Sequence, residues 1–167
     1  MEKPLIKRIV VAINGTEQSL HGAMYAILMA KQYGCVLKAV YVVDTATIKQ
    51  LTLSKFFVSD ESASYENSLE SDGNKILSDI VVLAAKKGVK IQTELRKGSV
   101  WAQIIMSAED FNADLIILGG KEHGASSFQS VVNRDSVSAT NIGIVGNASC
   151  NVLIVREKNI EKLFKTL

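Results

Sequence analysis

The stretch RIVVAINGTEQS, residues 8–19, decides the architecture. Its first half, Ile9 to Ile13 with Ile6 just before it, is apolar without interruption rather than alternating, the pattern of a strand covered on both faces. Asn14-Gly15-Thr16 then turns the chain. Beyond the turn Leu20, Met24, Ile27 and Leu28 recur at the spacing of a helix with one apolar stripe, and Gly34 stands where a left-handed helix cap belongs. A doubly covered strand that runs straight into a helix is the opening unit of a parallel sheet with crossover connections.

The same grammar repeats outward from it. Val36 to Val43 (VLKAVYVV) is a second strand, rich in residues that favour a pleated surface. Residues 44–65 read as an irregular connection with one helical turn, and Phe56-Phe57-Val58 within it as a cover over a site or a packing segment. Helical spacing returns near Asn67, with Ile76, Ile80, Leu83 and Ala84 on one face and Gly88 as the stop. Val89 to Leu95 alternates apolar and polar residues, as an edge strand does. Gly98-Ser99 opens a helix carrying Trp101, Ile105 and Ala108, and Leu115 to Leu118 is a short, wholly apolar and therefore central strand. After Gly119-Gly120 a polar stretch runs to Asn141, followed by a helix near Ile142, Val145 and Ala148 and a fifth strand from Val152 to Val155. Residues 1–156 read as one domain and residues 157–167 as a short helical tail.

Five strands alternating with four helical segments predict an α/β fold, a doubly wound parallel sheet with helices on both faces. The first and fourth strands are the most apolar and belong in its middle. If they are neighbours and their helices leave to opposite faces, the crevice between Asn14-Gly15-Thr16 and Gly119-Gly120 is the topological switch point, where such sheets bind ligands.

Composition excludes several other classes. The chain has 167 residues, 47% of them apolar, one proline and a formal charge of +2, which suits one folded core and argues against disorder. No basic block favours nucleic acid or a membrane surface, and no run approaches the ~18 apolar residues of a membrane span. The charged and apolar start lacks a cleavage pattern, so it reads as a strand rather than a signal peptide and the expected location is cytoplasmic. Cys35 and Cys150 read as free thiols of a reducing compartment. His21 and His123 read as surface residues, and no His/Cys/Asp/Glu cluster has metal-ligand spacing, so no metal site is expected. There is no P-loop spacing around Lys121, no GxGxxG after the first strand, no nucleophile elbow and no carboxylate pair. These residues name no catalytic group.

Four segments in this order, RIVVAINGTEQS (8–19), VLKAVYVVD (36–44), LRKGSVWAQIIMSAEDFNADLIILGG (95–120) and NASCNVLIV (147–155), resemble the universal stress protein family over nearly the whole chain. The resemblance implies strand order 3-2-1-4-5 and a homodimer in which Val152, Leu153, Ile154 and Val155 meet their copies. In part of the family it also implies ATP, AMP or another adenine nucleotide, with or without Mg, held by a Gly-x-x-Gly and Gly-Ser/Thr motif after the fourth strand, and a signalling partner of unknown identity. Carried onto this chain, the nucleotide-binding positions are Ala12, Asn14, Thr16, Val42, Gly119, Gly120, Lys121, Gly124, Ser138 and Ala139. Arg134, in a segment longer than the family's, adds a planar fork suited to phosphate.

The chain departs from the motif at three places. Asn14 stands where binders carry Asp, Glu122 where a glycine is expected, and Ser138-Ala139 in place of Gly-Ser/Thr. Two readings therefore stand side by side: an adenine-nucleotide-binding regulatory module, and a dimeric interaction protein of the same family with a degenerate glycine motif. Locally too, Gly119-Gly120-Lys121 is either a phosphate cradle or a plain strand end, and Asn14 and Thr16 either touch a ligand or cap the helix.

Overall fold

In the computed structural model of the chain, residues 2–55, 58–120 and 139–167 are described. Five strands form one parallel sheet: β1 (Arg8–Ile13), β2 (Val36–Val43), β3 (Ile91–Lys97), β4 (Leu115–Gly119) and β5 (Asn151–Val155), in the order β3-β2-β1-β4-β5. The most apolar strands are the inner ones, as the uninterrupted runs predict. Ile9, Val10 and Val11 of β1 pair with Leu115, Ile116 and Ile117 of β4, all fully or nearly fully buried.

Alternate residues of these strands feed two separate cores. On one face Ile9, Val11, Ile13, Leu37, Ala39 and Ile117 pack under α1 (Glu17–Tyr33), α3 (Ser59–Ala85) and α6 (Ile160–Thr166). On the other, Val10, Val40, Ile116 and Leu118 pack under Ile104 and Ala108 of α4 (Val100–Asp110) and Ile144 of α5 (139–147). The helix after β1 thus covers one face and the helix after β4 the other, so the sheet changes winding direction between these two neighbours.

The structure corrects or refines the sequence reading at four places. Residues 44–65 are mostly helical: α2 (Thr45–Leu53) is capped by Asp44, which accepts from Thr47 N at 3.0 Å, and α3 begins at Ser59 rather than near Asn67. Of the expected α1 stripe, Ile27 is buried and Met24 and Leu28 pack half-buried against the core, while Leu20 is exposed; Ser19, Gly22, Ala23, Ala26 and Ala30 complete the buried face, small residues where the helix lies close to the sheet. Ile142 and Val145 of α5 point outward, while Ile144 and Ala148 face the core. The edge strand β3 runs two residues later than the alternation suggested, and Phe56-Phe57 lie outside the described residues.

Candidate functional site

The first wall of the switch point is the bend between β1 and α1. Gly15 turns the chain with φ +82°, a left-handed value that a side chain would strain. Asn14 Oδ1 accepts from the Thr16 backbone N–H at 3.0 Å and from Thr16 Oγ1 at 2.6 Å. Thr16 Oγ1 in turn accepts from Ser19 N at 3.2 Å and caps α1. Ser19, buried, receives the Asn14 N–H and donates back to Thr16 O. Asn14 and Thr16 are exposed, yet much of their hydrogen-bonding capacity is spent inside the bend.

The second wall is the end of β4. A Cβ on Gly119 would collide with Gln18 O in the first turn of α1, and one on Gly120 with Val155 O of β5. One turn further along the helix, a Cβ on Gly22 would meet Gly119 N at 3.3 Å. The two bends are therefore in direct backbone contact through α1. The glycines are required by close approach of main chain to main chain, whatever else they do. Asn141 of α5, a residue that the sequence reading did not select, donates from Nδ2 to Gly119 O at 3.2 Å and joins the returning helix to the strand end. Only its tertiary position marks it out.

Ala12 and Val42 lie half-buried on the α4–α5 face, on adjacent strands at the sheet's carboxyl end. Ala139 is exposed at the described start of α5. The structure thus brings Ala12, Asn14, Thr16, Gly119 and Gly120 to one end of β1 and β4, with Val42 beside them on β2. Lys121, Glu122, His123, Gly124, Arg134 and Ser138 lie outside the described residues.

The sequence reading also missed a buried charged cluster on the α4 face. Lys38 is 8% exposed, and its Nζ donates to Glu94 Oε2 at 2.8 Å and to Ser107 O at 3.3 Å, with the Phe111 ring 4.8 Å away. Ser107 Oγ donates to the same Glu94 oxygen, and Arg96 bridges Glu94 Oε1 at 2.7 Å and Asp110 Oδ2. Burial pushes the Glu94 carboxyl up, but hydrogen bonds from Lys38, Ser107 and Arg96 outweigh it and hold its pKa at about 2. Lys38 of β2 thus meets a partner on the neighbouring strand β3, 56 residues further along the chain.

His21 is corrected as well. It is not an isolated surface residue, since Glu17 on the same helix and Glu161 on α6 close around it. The three donor atoms lie within 4.8 Å of one another. The i, i+4 spacing of Glu17 and His21 was the cluster's only sequence signal.

Three comparisons extend these findings. The sequence profile described as the universal stress protein family matches residues 5–156. A universal stress protein of Methanocaldococcus jannaschii is 30% identical over 160 residues, covering 94% of this chain and 86% of its own. Among solved structures, the universal stress protein UspA of Lactobacillus plantarum superposes with a TM-score of 0.71 at 19% identity, over 92% of this chain and all of that one. A universal stress protein family protein of Arabidopsis thaliana, solved with AMP bound, gives 0.60 at 14% identity over 92% and 94%.

Proposed function

This chain belongs to the universal stress protein family, and from that premise we propose that it is a regulatory module that binds an adenine nucleotide between the carboxyl ends of β1 and β4. One observation carries the reading: β1 and β4 are neighbours, their helices leave to opposite faces, and a backbone bend ends each strand. The AMP held by the Arabidopsis neighbour supports the adenine class. In this reading Ala12 and Val42 give the base an apolar wall, and Asn14 and Thr16 meet base or ribose. Gly119 and Gly120, with Lys121, Gly124, Arg134, Ser138 and Ala139, take the phosphates. The bound state is passed to a partner in the cytoplasm, and the outer edge of β5, from Val152 to Val155, pairs with a second copy.

A second reading, a dimeric interaction protein without nucleotide, is favoured by the packing of the bends. Gly119 and Gly120 abut protein backbone, and Asn14 Oδ1 already serves Thr16. Micromolar affinity needs about 8 kcal/mol, and each missing hydrogen bond to a charged group removes about 1.5–3 kcal/mol.

Equilibrium dialysis of the full chain against ATP, ADP, AMP and cyclic AMP separates the two. The nucleotide reading expects saturable binding below millimolar for at least one, weakened at least tenfold by Arg134→Ala. Absence of binding by all four, together with a native mass spectrum showing only protein, leaves the dimer reading. Sedimentation of wild type against Leu153→Lys tests the dimer itself, with an unchanged monomer in both as the outcome that removes it.

A further inference from the structure

Helices α1 and α6 meet around one imidazole and two carboxylates. Glu17 and His21 stand one turn apart on α1, and Glu161 comes from the first turn of α6. His21 Nε2 lies 3.1 Å from Glu161 Oε1 and 3.8 Å from Glu17 Oε1, and the three donor atoms all fall within 4.8 Å of one another. A tetrahedral zinc ion holds nitrogen and oxygen ligands at about 2.0–2.2 Å, which sets them about 3.3–3.6 Å apart. The two shorter spacings found here bracket that range.

The third donor is held by packing that is independent of the cluster. Ile160 and Phe164 of α6 are buried, Lys87 lies 4.8 Å over the Phe164 ring, and Lys31 Nζ donates to Leu167 O at 2.8 Å. Glu161 is thus presented to α1 by a docked helix rather than by a free tail. The His21 side chain is only 25% exposed, so its ring has restricted room to turn away.

We propose that Glu17, His21 and Glu161 form a zinc-class metal site that fastens the carboxyl-terminal helix to α1. An imidazole with two carboxylates suits Zn²⁺ or Co²⁺, whereas Mg²⁺ and Ca²⁺ favour all-oxygen shells. Two carboxylates balance the divalent charge, and water completes the shell. The partial positive charge of the α1 N-terminus opposes a cation and weakens its binding about two- to fivefold. Glu161 lies beyond residues 5–156, so the donor set includes a residue outside the family match. The inference rests on neither the nucleotide nor the dimer reading.

The test uses the full chain, stripped with EDTA and titrated calorimetrically with ZnCl₂, with MgCl₂ as competitor and CoCl₂ as a spectroscopic probe. The expected result is one equivalent of Zn²⁺ bound saturably and undisturbed by Mg²⁺. Visible Co²⁺ bands of a tetrahedral site should appear as well. Glu161→Gln and His21→Gln should each weaken binding at least tenfold and abolish the Zn²⁺-dependent rise in Tm, while Cys150→Ser changes neither. Circular dichroism of the variants, expected to match wild type, ties the loss to the donors. No saturable binding, or binding that survives both donor substitutions, overturns the site and leaves a hydrogen-bonded helix clamp.

Discussion

The two regions richest in polar detail differ in one respect that decides what each is able to do. Around Lys38, Glu94, Ser107, Arg96 and Asp110 the groups converge and are paired with one another inside the protein. At the ends of β1 and β4 the polar groups are fewer, but Asn14 and Thr16 face solvent and the chain runs on from Gly120 into a long polar segment. Among the described residues no buried side-chain nitrogen or oxygen lacks a partner. The buried groups of the charged cluster are therefore all engaged with one another, and the cluster ties β2, β3 and α4 together. Density of chemistry is not by itself a mark of a site; polar groups that face solvent at a strand end are the better one. This holds even where, as at Asn14 and Thr16, part of their capacity is used within the bend.

The largest effect that sharpens this contrast is expected at Lys38. Lys38→Ala removes the buried cation of the half-buried Glu94, which keeps Arg96, and should cost about 3 kcal/mol in urea unfolding, the low end for a broken buried pair. A loss below 1 kcal/mol would show that the cluster is not structural. Nucleotide affinity, measured on the folded variant, should not change.

Acid should act on the same region next. The Glu94 carboxyl is held at about 2 against an ordinary 4.5, so its contribution is present above about pH 4.5 and is lost as pH falls towards 2. That difference corresponds to on the order of 3 kcal/mol. Glu94→Gln should flatten the stability profile across this interval, and a profile as steep as that of wild type would assign the acid sensitivity elsewhere.

At the other region, Gly119→Ala forces a methyl against Gln18 O and should cost about 1–3 kcal/mol. Gly146→Ala on α5, where a Cβ meets nothing within 4 Å, is the control and should be neutral or slightly stabilising. The smallest effect belongs to Thr16→Ala, which removes the α1 cap and should cost about 1 kcal/mol. Lost nucleotide binding in that variant at nearly unchanged stability would separate ligand contact from capping.

The sequence was most legible where burial is simplest. Ile9 to Ile13 and Leu115 to Leu118 carry no polar residue, so only a doubly covered strand accommodates them, and order and switch point follow. Legibility failed in three physical situations. The α1 stripe was legible in Ile27, Met24 and Leu28 but not in Gly22, Ala23 and Ala26, which are buried for their small size, a reason that a hydrophobic stripe does not encode. The start of α3 was missed because Ser59 to Asn67 is almost wholly polar, and Leu69, Ile76, Leu77 and Ile80 supply its anchorage further along. The partners of Lys38 and His21 are set by strand pairing and by the docking of α6, contacts between residues far apart in the chain. The bends of the candidate site were legible in position but not in their internal hydrogen bonding.

The meeting of Gly22 with Gly119 has a mechanical consequence. No side chain stands between helix and strand there, so no rotamer change is available to cushion a shift. The tip of β4 rests on α1 backbone to backbone, and α1 runs on from there to Lys31, which holds Leu167 O. The seam is a hard bearing between the open end of the sheet and the far side of the molecule.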